Sequence, residues 1–159
     1  MATDVDKHGY GYVDKSGRFV IKARFKTASP FSEGLAAVRE VLPDGTIKNG
    51  YIDVRGAYAI TLQTGPHEVL MRPFSNGMAV VMDHGSARYV DRTGQPAFKR
   101  NFASGGSFSE GLAWVRLKEG DGTKCGYIDK TGELVVKAQF DDTHSFSEGF
   151  AGVKLNDAW

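Results

Sequence analysis

A single cysteine, Cys125, stands in the 159 residues, so no disulfide within the chain is possible and the redox compartment is left open. A lone thiol of this kind is expected to be a small buried apolar group. No apolar run approaches the roughly 18 residues that a membrane span requires, and Met1 to His8 lack the apolar stretch of a signal peptide. The chain is expected to be soluble, and cytoplasmic unless a signal upstream of it had been removed. A formal net charge of +1 carries no excess of one sign to attract nucleic acid or anionic lipid. No segment sustains a helical apolar pattern over about 11 residues, and prolines number only five. Against these shortages stand twenty glycines, which suit many tight turns between short strands and point to an all-β chain.

What fills the chain is one unit repeated. Gly11-Tyr12-Val13-Asp14-Lys15-Ser16-Gly17 recurs as Gly50 to Gly56, Arg88 to Gly94 and Gly126 to Gly132, with the tyrosines 39, 38 and 38 residues apart. A second motif follows each: Phe31-Ser32-Glu33-Gly34-Leu35-Ala36, then Phe74 to Ala79, Phe108 to Ala113 and Phe146 to Ala151. Comparing residues 11–38 with 126–153 without gaps, 15 of 28 positions are identical, so the copies are duplications. The whole of 1–159 is therefore one array of four copies, at about residues 8–47, 48–85, 86–123 and 124–159.

Each copy reads as a strand through the tyrosine, a turn, a second strand, a polar connection and a third strand. Asp14, Asp53, Asp91 and Asp129, each followed three residues later by Gly17, Gly56, Gly94 or Gly132, carry type I turn chemistry. The aspartate caps backbone N–H groups and the glycine takes the left-handed conformation. Gly34, Gly77, Gly111 and Gly149 of the second motif are structural residues of the same kind, and a short turn of helix fits Phe31 to Gly34. Turn signals at Asp44-Gly45, Gly85-Ser86 and Asp121-Gly122 place each third strand beside the next copy's first strand. Within the third strand, the constant pairs Ala36/Val38, Ala79/Val81, Ala113/Val115 and Ala151/Val153 form the expected inner layer. The intervening position drifts through Ala37, Val80, Trp114 and Gly152 and is expected on the outer surface.

These two linked motifs resemble the bacterial WG-repeat (KWG) family over nearly the whole chain, from about Tyr10 to Trp159. The unit of that family runs approximately Trp-Gly-Tyr-Ile-Asp-Lys-x-Gly, an apolar strand, then Phe-x-x-Ala-x-x-Phe-x-x-Gly-Leu-Ala-x-Val. Tyr10, Asn49, Ala87 and Cys125 occupy the place of its tryptophan. The resemblance implies a non-catalytic β repeat used in interactions. The architecture expected is an array of antiparallel meander units in an open, solenoid-like sheet, the alternative being a closed four-bladed propeller-like ring.

Chemistry is sparse. His67-Glu68-Val69-Leu70-Met71 begins like a zinc-protease helix, but Met71 stands where the second histidine belongs, and His8, His84 and His144 have no ligand spacing. No metal and no cofactor are expected. Glu33, Glu110 and Glu148 are repeat positions, which structural duplication explains without an active site, so no catalytic residue is expected. The differences between copies are the better candidates for binding. The second copy has four extra residues around Gln63 to Glu68, making His67, Glu68 and Arg72 candidates. Trp114, with Arg39, Arg116 and Lys154 at equivalent strand positions, is the other candidate surface. The function expected is a non-enzymatic module presenting an extended surface to a protein partner. The alternative is a carbohydrate or cell-wall binding module using Tyr10, Trp114 and Trp159.

Overall fold

A computed structural model of the chain describes residues 9–65 and 69–155. All regular structure among them is β, and no helix there is long and apolar enough to cross a membrane. The first copy supplies β1 (Tyr10–Val13), β2 (Phe19–Ala28) and β3 (Ala36–Val41). The second supplies β4 (Ile47–Ile52), β5 (Tyr58–Leu62), β6 (Leu70–Met71) and β7 (Met78–Asp83). In the third lie β8 (Ser86–Asp91), β9 (Ser104–Gly105) and β10 (Ala113–Glu119). In the fourth lie β11 (Gly122–Ile128), β12 (Leu134–Phe140), β13 (Asp142–Thr143) and β14 (Val153–Lys154).

Sheets form across the copy boundaries, as the turn signals between copies require. β3 pairs with β4, β7 with β8 and β10 with β11, all antiparallel. The four sheets run β1-β2-β3-β4-β5, β6-β7-β8, β9-β10-β11-β12 and β13-β14. β2 shows how one copy passes between layers: Phe19 and Ile21 face β1, whereas Thr27 and Ala28 face β3. Among the described residues β1 pairs only with β2 and β14 only with β13, so the array is open and not a closed ring.

Both faces of the inner strands are buried, which corrects the outer-surface expectation for the drifting position. Ala37 and Val80 are 4% and 0% exposed. Ala37, Tyr51 and Ile60 of the first sheet pack on Ala79, Val81 and Val90 of the second. The opposite face of the second, with Val80 and Tyr89, packs on Ala113, Val115 and Ile128 of the third. In a stack, strand alternation decides which neighbouring copy a side chain meets, not whether it meets water. Only Gly152, on the last third strand, is exposed.

The turn chemistry is realised in all four copies. Asp14 Oδ1 accepts the N–H groups of Ser16 at 2.8 Å and Arg18 at 3.1 Å, and Gly17 sits at φ 82°. Asp53, Asp91 and Asp129 repeat the pattern. All four carboxyl groups are held below the ordinary carboxylate range. The leading cause is the hydroxyl of Ser16, Thr93 or Thr131 for Asp14, Asp91 and Asp129, and the Ala57 N–H for Asp53. A carboxylate with a depressed folded pKa stabilises the fold fully above its unfolded value of about 3.9, and that contribution is lost as pH falls through the folded value. Thermal midpoints are therefore expected to hold down to about pH 5 and then fall, and Asn at all four positions should flatten that decline. An unchanged acid profile in the fourfold Asn variant would refute the assignment.

The second motif is a two-residue hairpin turn, not the short turn of helix that fitted its sequence. Ser32 and Leu35 exchange both backbone hydrogen bonds, and Glu33 and Gly34 have φ of 51° and 80°. Positive φ at both central residues is the type I′ geometry, whose favoured dipeptide is Asn-Gly. Asn76-Gly77 in the second copy therefore fits its turn without strain.

In the third copy the second strand dissolves into isolated bridges, Val90 to Pro96 and Ala87 to Phe102. Arg88 stands there in place of the glycine of the other copies. A Cβ on Gly11, Gly50 or Gly126 would come within 2.6, 2.1 or 2.5 Å of the facing carbonyl of Ile21, Ile60 or Val136. On either side of Arg88 the facing segment keeps hydrogen bonds to Ala87 and Tyr89 without forming a continuous strand, and Pro96 has no N–H to donate.

Candidate functional site

The repeated polar residues are consumed in holding the copies together. The tyrosine of each first motif donates to a carbonyl beyond the second strand: Tyr12 to Ser29 at 2.8 Å, Tyr51 to Arg72 at 3.0 Å, Tyr89 to Gly106 at 2.7 Å and Tyr127 to His144 at 2.9 Å. The sequence separations are 17, 21, 17 and 17, so the second copy's four extra residues fall between the two ends of a hydrogen bond that every copy makes. Burial drives the hydroxyl pKa of Tyr12, Tyr51 and Tyr89 upward, keeping these groups as donors. Each tyrosine ring also meets the phenylalanine of its second motif, at centroid distances of 4.7 Å for Phe31, 4.8 Å for Phe74 and Phe146, and 5.5 Å for Phe108. This contact links the two motifs of each copy.

Serine and glutamate of the second motif act one copy further on. Ser32, Ser75 and Ser109 each donate to the carbonyl of the next copy's phenylalanine, Phe74, Phe108 and Phe146, at 2.7 Å. The Glu33 carboxylate accepts the Gly77 N–H at 3.1 Å, and Glu110 accepts those of Glu148 and Gly149 at 2.6 and 2.9 Å. Glu33 also pairs with Arg92 at 3.3 Å. These carboxylates tie neighbouring turns together, a role that duplication alone did not reveal. Asn76 breaks the series, because among the described residues its amide reaches only Ser75.

The candidate aromatic and basic surface is not assembled as one patch. Trp114 is half-buried, and its indole lies so close over Gly106 that a Cβ there would be 2.1 Å from Nε1. Tyr10 is 61% exposed on β1, and the β6-β7-β8 sheet stands between it and Trp114. Arg116 points its Nε at the buried Cys125 sulfur, 3.3 Å away, and pairs with Asp142 at 3.2 Å. Arg72 is exposed and Lys154 ends the array on β14. His67, Glu68 and Trp159 lie outside the described residues.

Arg39 is different. It is half-buried beside a cleft of about 210 Å³ between the first and second copies, with Thr27 and Ser29 on one side and Val69, Leu70 and Met71 on the other. No acceptor reaches its guanidinium among the described residues. The repeat register explains why. Thr27 faces Arg39, Leu70 faces Met82, Ser104 faces Arg116 and Asp142 faces Lys154 across their strand pairs. Arg116 takes its carboxylate, Asp142, from the following copy, and the residue in Asp142's place for Arg39 is Leu70. An arginine and an apolar wall thus stand where the joint between the third and fourth copies has an ion pair. Only Arg39's strand position marked it in the sequence; the missing partner was visible only once copies were aligned in space.

Three segments, residues 10–40, 88–120 and 126–159, match the family model described as WG containing repeat, together more than half of the chain. No curated protein and no solved structure matches it. The matched segments hold the first, third and fourth copies, with the tyrosine, turn aspartate and second-motif residues whose contacts build the stack. The chain belongs to the WG containing repeat family.

Proposed function

We propose that the array is a non-catalytic interaction module whose cleft beside Arg39 takes a carboxylate from a protein partner. One observation carries this reading: the equivalent Arg116 pairs with Asp142, while Arg39 faces Leu70 across an open cleft. A guanidinium over an apolar wall favours a carboxylate, which it holds through paired N–H donors. The cleft's size suits one side chain or a chain terminus, being below the roughly 300 Å³ at which small-molecule sites begin.

The test is an array of acidic and neutral peptides probed with the wild-type chain, Arg39→Ala and Leu70→Asp. Bound peptides should be enriched in Asp, Glu or a free C-terminal carboxylate. Both variants should lose that binding by about tenfold or more, the equivalent of one charge-assisted hydrogen bond of about 1.5–3 kcal/mol. Leu70→Asp acts by supplying the carboxylate from within. Binding retained in both variants, or hits without a carboxylate, would sink the proposal.

A further inference from the structure

The two ends of the stack are the two unmatched halves of a joint that the molecule builds three times. At each internal joint a third strand pairs with the next first strand. At each, Ile52, Val90 or Ile128, no more than 1% exposed, seats against the alanine and valine of that third strand. The turn glycines Gly56, Gly94 and Gly132 lie against Ile21, Ile60 and Phe98 of the preceding copy. A serine of the preceding copy donates to the phenylalanine carbonyl of the following one.

Every one of these features has an open counterpart at an end. Val13, equivalent to Ile52, is 54% exposed, and a Cβ on Gly17 would meet nothing within 4 Å. At the other end Val153, equivalent to the fully buried Val38, is 44% exposed. Phe150, equivalent to Leu35 at 5%, is 81% exposed. The Ser147 hydroxyl has no partner among the described residues. The outer edges of β1 and β14 are unpaired there as well, and an unpaired edge beside an apolar face is a template for strand addition.

We propose that the β14 end of one molecule docks on the β1 end of a second copy of this chain, head to tail, reproducing the internal joint. The repeat register specifies the pairing. Ala151, Gly152, Val153 and Lys154 lie opposite Val13, Tyr12, Gly11 and Tyr10 of the second copy, as Ala36 to Arg39 lie opposite Ile52 to Asn49. Ser147 donates to the second copy's Phe31 carbonyl, and the second copy's Gly17 turn covers Val136. A second copy is the occupant because both complementary halves are present on this one chain, and its first and fourth copies share the residues that make the internal joints. The contact is heterologous, so association extends as open chains unless the rotation closes.

The experiment uses the full chain and two variants at the exposed end positions, Val13→Asp and Val153→Asp, with molar mass followed by light scattering over a range of concentration. Circular dichroism should report wild-type folding for both. The wild-type mass should rise with concentration, each variant alone should stay at 17.3 kDa, and an equimolar mixture should form a two-chain complex through its remaining intact head and tail. A wild-type chain that stays monomeric throughout overturns the proposal, leaving these ends to another protein or to further repeats. Association lost in only one variant, or a mixture that stays monomeric, overturns the head-to-tail geometry.

Discussion

Gly50→Ala is expected to unfold the joint between β4 and β5, at a cost at or above the upper end of the roughly 1–3 kcal/mol typical of overpacking. The added Cβ would lie 2.1 Å from the Ile60 carbonyl oxygen and 3.2 Å from the Thr61 Cα. Those are backbone atoms of the neighbouring strand, so relief requires β5 to move. Movement of β5 in turn displaces Ile60 and Leu62 from the central core. Amide exchange should show protection lost first over Tyr58–Leu62, with a lowered denaturation midpoint. Gly34→Ala is the control: its φ of 80° makes alanine strained, but a Cβ there meets nothing within 4 Å. Its cost should be only the left-handed backbone term of about 1–2 kcal/mol. Equal effects of the two substitutions would refute the close-approach account. The molecule already contains the natural version of the experiment, since Arg88 replaces this glycine in the third copy and the facing strand is reduced to bridges.

Tyr51→Ala is expected to cost about 3–5 kcal/mol, the range for removing a large buried ring. Tyr51 is fully buried, packs edge-on against Phe74 and donates to the Arg72 carbonyl. Tyr51→Phe separates the two contributions: it keeps the ring and should cost about 1 kcal/mol for the hydrogen bond, with some further penalty for the carbonyl left behind. The same pair of substitutions at Tyr12 should cost less, because that ring is only half-buried at the end of the stack. Urea denaturation of the four variants measures these differences. A Tyr12→Ala effect as large as that of Tyr51→Ala would contradict a stack in which burial grows towards the middle.

The repeat, the turns and the pairing between copies were legible because each rests on local chemistry. An aspartate three residues before a glycine makes the same turn wherever it stands. A turn signal between two apolar strands makes them antiparallel neighbours. The glutamate of the second motif is the instructive failure. Its sequence position suggests a helical turn or a carboxylate pair, yet it sits at positive φ and reaches the next copy's backbone, some 38 to 44 residues on. No local pattern reports a contact made across a joint.

The sequence by itself determined that this protein is four copies of one β unit joined by strand pairing, because those facts depend on periodicity and on turn residues within a few positions of each other. Only the tertiary structure decided what each face of a strand meets, that Arg116 has a carboxylate while Arg39 faces Leu70, and that the two ends carry matching open halves. Each of these depends on residues in different copies, as Arg116 and Asp142 are, 26 positions apart. Stacking, not local propensity, brings them together, and a period-2 pattern is the same whether the second face meets water or the next copy.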